Sequence, residues 1–225
     1  MQRYTWSGLV APMWALIRWV HRVADLTLVT SQAMKQELIA NACKNNRIDV
    51  WRKGVDTEVF HPAHRNAAMR ERMTAGNPEA PLLLYVGRLG AEKNLKALRD
   101  IMDHLPTGCR LALVGDGPER QALEEHFAGR PVVFMGMLHG QELSQAYASA
   151  DIFVMPSETE TLGFVVMEAM ASGLPVVAVA AGGLVDIITR PGDTGFLYQP
   201  SSYEQAAKVG CTRGMRPSCA VPCCA

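Results

Sequence analysis

Long hydrophobic runs are missing from this 225-residue chain: no uninterrupted apolar stretch approaches the roughly 18 to 20 residues that a membrane-crossing helix needs. A span across a bilayer by these residues is therefore not expected. Charge of one sign is missing too, since Lys+Arg number 22 and Asp+Glu number 22. Without a basic face the chain has no electrostatic footprint for nucleic acid, and no such partner is expected, although a few placed cations could still hold a phosphate. There is no Asp-x-Asp, and the 6 histidines are scattered. The cysteines lack paired zinc spacing, with Cys43 and Cys109 in the body and Cys211, Cys219, Cys223 and Cys224 crowded near the end. Neither a metal site nor a disulfide framework is expected, which points to a reducing compartment. The opening "MQRYTWSGLV" has Arg3 but no apolar core and no small-residue cleavage signature, so neither a secretory signal nor a clear transit peptide is read there.

What the chain does have, from Pro81 onward, is alternation. Apolar runs "LLLYVG", "RLALVG", "VVFMG", "DIFVMPS", "PVVAVA" and "GFLYQ" are near-continuous, as strands buried on both faces are. Between them lie "EKNLKALRDIMDHL", "PERQALEEHF", "QELSQAYASA", "GFVVMEAMAS" and "GGLVDIIT", most with helical spacing of apolar residues. Alternation of this kind predicts βαβ units and a doubly wound parallel sheet of about six strands. Strand ends at Gly87, Gly115, Gly136 and Ser157 then fall on the rim where open α/β sheets bind ligands.

The segment before Pro81 reads as a helix, "WALIRWVHRVA", a strand, "DLTLVTS", a helix capped by Ser31, and a strand entering a turn, "RIDVWRKGVD". That is too little for a second doubly wound domain. A polar, partly helical connection follows. At the other end "SSYEQAAKV" begins as a capped helix, whereas "GCTRGMRPSCAVPCCA" has neither periodicity nor an apolar face and reads as a frameshift or read-through product.

The chemistry concentrates in "ETETLGFVVMEAMASGLPVV". Glu160 and Glu168 stand among apolar residues, and a carboxylate in such company needs a partner or a shifted pKa. Gly163 opens a helix whose N-terminus faces the rim, with free N–H groups and the positive dipole end suited to an anion. Glu168, about a turn deeper, is placed to accept from hydroxyls. On the first strand's exit, "VGRLGAEKN" offers Arg88 and Lys93 across a Gly-containing turn, a planar fork and a point charge for one diphosphate. Two cations, two carboxylates and a helix N-terminus on one rim describe a nucleotide-sugar site. A structural ion-pair network is the bland alternative. "GDGPER" lacks the third glycine of a dinucleotide fingerprint, Arg120 standing in its place, so NAD is not expected. Asp116 is expected to cap the helix that starts at Pro118, and Glu92 to make a local surface pair.

The Glu160–Glu168 pair with seven residues between, "VGRLGAEKN", "LVGDGPER" and "RKGVDTEVFHP" resemble the retaining glycosyltransferases of family four, which have the two-domain GT-B fold. Longer phrases, "HRVADLTLVTS", "WRKGVDTEVFHP" and "ELSQAYASADIFVMPSETETLGFVVMEAMASGLPVVA", resemble the plant, algal and cyanobacterial sulfolipid-forming branch of that family. The resemblance runs from about residue 3 to about residue 209. It implies an α/β fold: a GT-B C-terminal Rossmann-like domain at 81–209, a remnant of the N-terminal acceptor domain at 1–60, a linker at 61–80, and an atypical, disordered tail at 210–225.

The function implied is transfer of sulfoquinovose from UDP-sulfoquinovose to diacylglycerol, with retention, without metal or other cofactor, at the chloroplast envelope. By position, Arg88 and Lys93 would bind and stabilise the leaving diphosphate, Glu160 would hold the transferred sugar and Glu168 the ribose. Backbone groups at Gly163, Phe164 and Val165 would touch the phosphates, and Met137 and Leu138 would lie near the uracil. The family's acceptor-domain glycine-rich loop and catalytic-site histidine find no match here, since His21, His61 and His64 do not fit that role. Transfer by this chain alone therefore does not follow. Another UDP-hexose transferase of the family, or a non-catalytic nucleotide-sugar-binding module, remains an alternative. Trp6, Trp14 and Trp19 with nearby basic residues suit either a peripheral membrane contact or packing within an acceptor domain.

Overall fold

The structure, a computed structural model, describes residues 7–51, 54–160 and 162–213. The chain divides into two compact units, Met1–Lys53 and Gly54–Ala225.

In the first unit, α1 (Ser7–Val23) leads to β1 (Thr27–Val29), which pairs in parallel with β2 (Ile48–Val50) through the crossover helix α2 (Gln32–Ala40). Ser31 caps α2 as its sequence predicts, its hydroxyl accepting from the Met34 N–H at 3.2 Å. Buried His21 ties α1 to the sheet through Nδ1 at 2.7 Å from the Thr27 hydroxyl. The buried core is small, Val29, Cys43 and Ile48, with Ile17, Met34 and Leu38 against it. Trp19 is exposed, while Trp6 lies outside the described residues.

The second unit holds α3 (Ala67–Met73), β3 (Leu82–Val86), α4 (Ala97–Asp103), β4 (Arg110–Val114), α5 (Arg120–His126), β5 (Val132–Gly136), α6 (Gly140–Ser149), β6 (Ile152–Met155), α7 (Phe164–Ala171), β7 (Val176–Val179), α8 (Leu184–Ile187), β8 (Phe196–Tyr198) and α9 (Tyr203–Arg213). Its six strands form one parallel sheet in the order β5-β4-β3-β6-β7-β8. Strands β3, β4, β6 and β7 are buried almost throughout because helices cover both faces, which is why their sequences do not alternate. The chain winds outward from β3 to β5, then returns to start the other half at β6. The order therefore reverses between β3 and β6, and it is beyond the carboxyl ends at such a switch point that open α/β sheets form their ligand crevice.

Four local expectations change. The stretch 61–80, expected as a linker, is part of the second unit: α3 packs on α6, and the buried Arg70 guanidinium meets Asp151 at 2.7 Å. Asp116 does not cap α5, which starts at Arg120 without a side-chain cap; it accepts instead from the Gly117 N–H at 2.7 Å and faces Arg120 at 3.3 Å. "GGLVDIIT" supplies only the single turn of α8. Helix α9 continues through residues 210–213, and the tail expectation beyond 213 falls outside the described residues.

Candidate functional site

Three loops leave the strands at the switch point, and backbone contact ties the first two to each other and the third to the turn after β7. The β3 exit "VGRLG" lies directly against the β4 exit "VGDGP": the Gly87 N–H donates to the Val114 carbonyl at 3.0 Å and the Leu89 N–H to that of Asp116 at 2.9 Å. A Cβ on Gly115, whose φ is +132°, would collide with the Gly87 carbonyl, so a side chain there would separate the loops. The β6 exit carrying Glu160 is pinned likewise, its carbonyl accepting from the Gly183 N–H at 2.8 Å, with Gly182 too close for any Cβ.

On this frame the two carboxylates find their partners. Glu160 accepts from Lys93 Nζ at 2.7 Å through Oε2 and from the Gly163 N–H at 3.1 Å through Oε1, bridging a cation to the mouth of α7. Lys93 ends the turn Ala91–Lys93 and both partners are largely buried. Gly163 adopts a left-handed conformation, φ +62°, and a Cβ would strike Ile187. The glycine thus serves the turn and the packing of α8. Phe164 and Val165 open α7, half-buried. A turn further, Glu168 is half-buried and accepts from the Tyr147 hydroxyl at 2.8 Å through Oε2. Burial raises the Glu168 carboxyl pKa, and the Tyr147 hydrogen bond partly opposes that rise.

Arg88 behaves differently from Lys93. It is 63% exposed and pairs with Glu92 at 2.6 Å, the local partnership expected of that glutamate, and the bond holds the Glu92 carboxyl below its ordinary pKa. The structure therefore gathers Lys93, Glu160 and Gly163 into one contact set, places Glu168 with Tyr147 on α7, and leaves Arg88 outward beside Glu92. At the end of β5, Met137 is 61% exposed whereas Leu138 is buried, so only the former stands free on the rim.

Sequence reasoning passed over Tyr85, Tyr147, Gly182 and Gly183. Tyr85 is fully buried, its hydroxyl donates to the Arg88 carbonyl at 3.1 Å, and burial pushes its pKa up. The signals existed: a tyrosine among strand aliphatics needs a hydrogen-bond partner, and a double glycine after a strand marks a close backbone approach. Among the described residues no group of three or more His, Cys, Asp or Glu side chains could hold a metal ion, and no helix is long and apolar enough to cross a membrane.

Comparison with known proteins bears on this geometry. Residues 80–211 match the family "Glycosyl transferases group 1", and residues 1–59 match "Glycosyltransferase Family 4". The chain belongs to the group 1 glycosyl transferases. It is 56% identical over 205 residues to the sulfoquinovosyl transferase SQD2 of Arabidopsis thaliana, covering 90% of this chain and 40% of that protein. It is 42% identical to a GDP-mannose-dependent alpha-mannosyltransferase of Mycobacterium tuberculosis, covering 85% of this chain and 48% of that one. The chain thus spans less than half the length of these relatives. Among solved structures, the Anabaena protein HepE in complex with UDP superposes with a TM-score of 0.79 at 24% identity, over 93% of this chain and 58% of that one. Sucrose-phosphate synthase from Thermosynechococcus elongatus gives 0.73 at 26% identity, over 92% of this chain and 54% of that one. The fold is that of GT-B glycosyltransferases, and the six-stranded sheet is the Rossmann-like part of it.

Proposed function

We propose that this chain carries the donor site of a retaining hexosyltransferase that moves sulfoquinovose from UDP-sulfoquinovose to diacylglycerol, at a chloroplast membrane and without a metal cofactor. The observation that carries the donor reading is the Lys93–Glu160–Gly163 contact set at the switch-point crevice. A nucleotide sugar presents a diphosphate and hydroxyls, and the crevice presents a cation at a helix N-terminus beside carboxylates. The choice of sugar rests on the likeness to the Arabidopsis sulfoquinovosyl transferase, and the diphosphate on the family resemblance.

When the donor enters, its diphosphate takes Lys93 and Arg88 from Glu160 and Glu92. Negative charge then grows on the departing UDP, and Lys93, Arg88 and the α7 N–H groups, once drawn to the diphosphate, stabilise it there. Glu160, released from Lys93, turns to the sugar hydroxyls, and Glu168 to the ribose. Met137 flanks the base. Because protein cations neutralise the phosphates, a chelator should leave donor binding unchanged.

A second reading, a GDP-mannose donor, is favoured by the 42% identical mannosyltransferase. Calorimetry with UDP-sulfoquinovose, UDP-glucose and GDP-mannose separates the two. Tightest binding of UDP-sulfoquinovose is expected; preference for GDP-mannose would overturn the sulfolipid reading and keep the donor site, while no binding of any of the three would remove both.

A further inference from the structure

Tyr147 and Glu168 come from different helices and meet by one bond. The phenol donates to Glu168 Oε2 at 2.8 Å, and its ring is wholly buried, edge-on to Phe60 with centroids 5.6 Å apart and tilted against Phe153 at 5.9 Å. A ring gripped on two sides aims its hydroxyl in one direction. We propose that Tyr147 is a positioning residue for Glu168, occupying Oε2 so that Oε1 is the oxygen offered to a ribose hydroxyl. This rests on the reading of Glu168 as the ribose ligand.

Burial and the nearby Glu168 charge raise the Tyr147 pKa well above its ordinary value, so the phenol stays a donor throughout the physiological range. Little else acts on the carboxylate. Helix α7 packs on α6, β6 and β7; the two strands bring only Ile152–Met155 and Val176–Val179, none of them titratable, and α6 brings Tyr147 and the exposed Glu142, which pairs with Arg72, while Tyr85 of β3 acts on Tyr147. Such a carboxylate has one fixed oxygen and one available oxygen. Loss of the phenol would free its rotamer and raise its pKa further, because the bond that opposes burial would be gone.

The test uses the whole chain as wild type, Tyr147→Phe and Glu168→Gln, the phenylalanine preserving the ring contacts. UDP-glucose binding is measured by calorimetry from pH 5 to 8; its diphosphate, esterified at both ends, does not titrate there. Inorganic pyrophosphate at pH 7.5 is the control. Expected for Tyr147→Phe are affinity for UDP-glucose about tenfold weaker, unchanged affinity for pyrophosphate, and loss of binding on acidification that begins at higher pH than in wild type. Glu168→Gln should weaken UDP-glucose and abolish the acid limb. If Glu168→Gln weakens binding while Tyr147→Phe matches wild type in affinity and pH profile, the positioning role is overturned and the ribose reading stands. If Glu168→Gln binds as wild type does, the ribose reading fails and the proposal with it. A carboxyl-carbon NMR titration needs no ligand: a higher Glu168 midpoint in Tyr147→Phe is expected, and an unchanged midpoint overturns the proposal even if no nucleotide binds.

Discussion

Two ion pairs of the second unit, at opposite ends of the same sheet, have the same 2.7 Å length and different surroundings. At the amino end, Arg70 and Asp151 are 8% and 7% exposed. The Arg70 guanidinium also donates to the carbonyls of Pro78, Ser149 and Ala80, and Asp151 also accepts from the Leu82 N–H, so both charges are committed to holding α3, α6 and β3 together. At the carboxyl end, Lys93 and Glu160 are 19% and 14% exposed. Lys93 has two ammonium donors beyond its bond to Glu160, and the pair stands in the crevice that a ligand would enter. A charge bonded to several backbone groups as well as to its partner is fixed structure; one held by a single side chain can exchange partners.

Breaking the first pair should have the largest effect on stability. Arg70→Ala removes the guanidinium that balances the buried Asp151 charge, an expected cost of about 3 to 5 kcal/mol, which corresponds to a melting temperature lower by roughly 6 to 20 °C. Lys93→Ala should cost only about 1 kcal/mol of stability, because Glu160 keeps the Gly163 N–H and gains water. Its effect falls on donor affinity, reduced by about 1.5 to 3 kcal/mol. Paired melts and calorimetry check both, and a melt as low for Lys93→Ala as for Arg70→Ala would erase the contrast.

Glu168→Gln sharpens the comparison from within the site. Burial holds the folded-state pKa of Glu168 above its unfolded value. The stability this carboxyl contributes is present in full below the unfolded pKa and is lost as pH rises through the folded one. The uncharged glutamine removes that loss, so Glu168→Gln should be more stable than wild type at pH 7, with the gain vanishing below about pH 4. Denaturant melts at both pH values measure it. Smallest of all, Arg88→Ala should alter stability by no more than about 0.5 kcal/mol, because an exposed pair such as Arg88–Glu92 contributes little; a larger loss in the melt would show that the pair holds the loop.

Sheet, strand number and the rim position of the loops were legible in the sequence because near-continuous apolar runs separated by amphipathic stretches admit few arrangements other than a covered parallel sheet. Glu160, Glu168, Arg88 and Lys93 stood out because charge beside buried strands or at a glycine turn needs a reason. The limits of legibility are equally specific. The 61–80 stretch is polar along much of its length, and α3 joins the second unit through the burial of Met69 and Met73 and the pairing of Arg70 with the distant Asp151, all contacts made only on folding. Asp116 looked like a cap because local spacing cannot foresee a β3 loop lying across its backbone.

The sequence by itself determined the alternation of strand and helix and the four charges at the rim, since periodicity and glycine placement are local properties of the chain. Only the tertiary structure decided how those charges pair. Lys93 meets Glu160 across 67 residues and Tyr147 meets Glu168 across 21, because the reversal of strand order between β3 and β6 brings their loops and helices together, and no local pattern encodes contacts made by that folding.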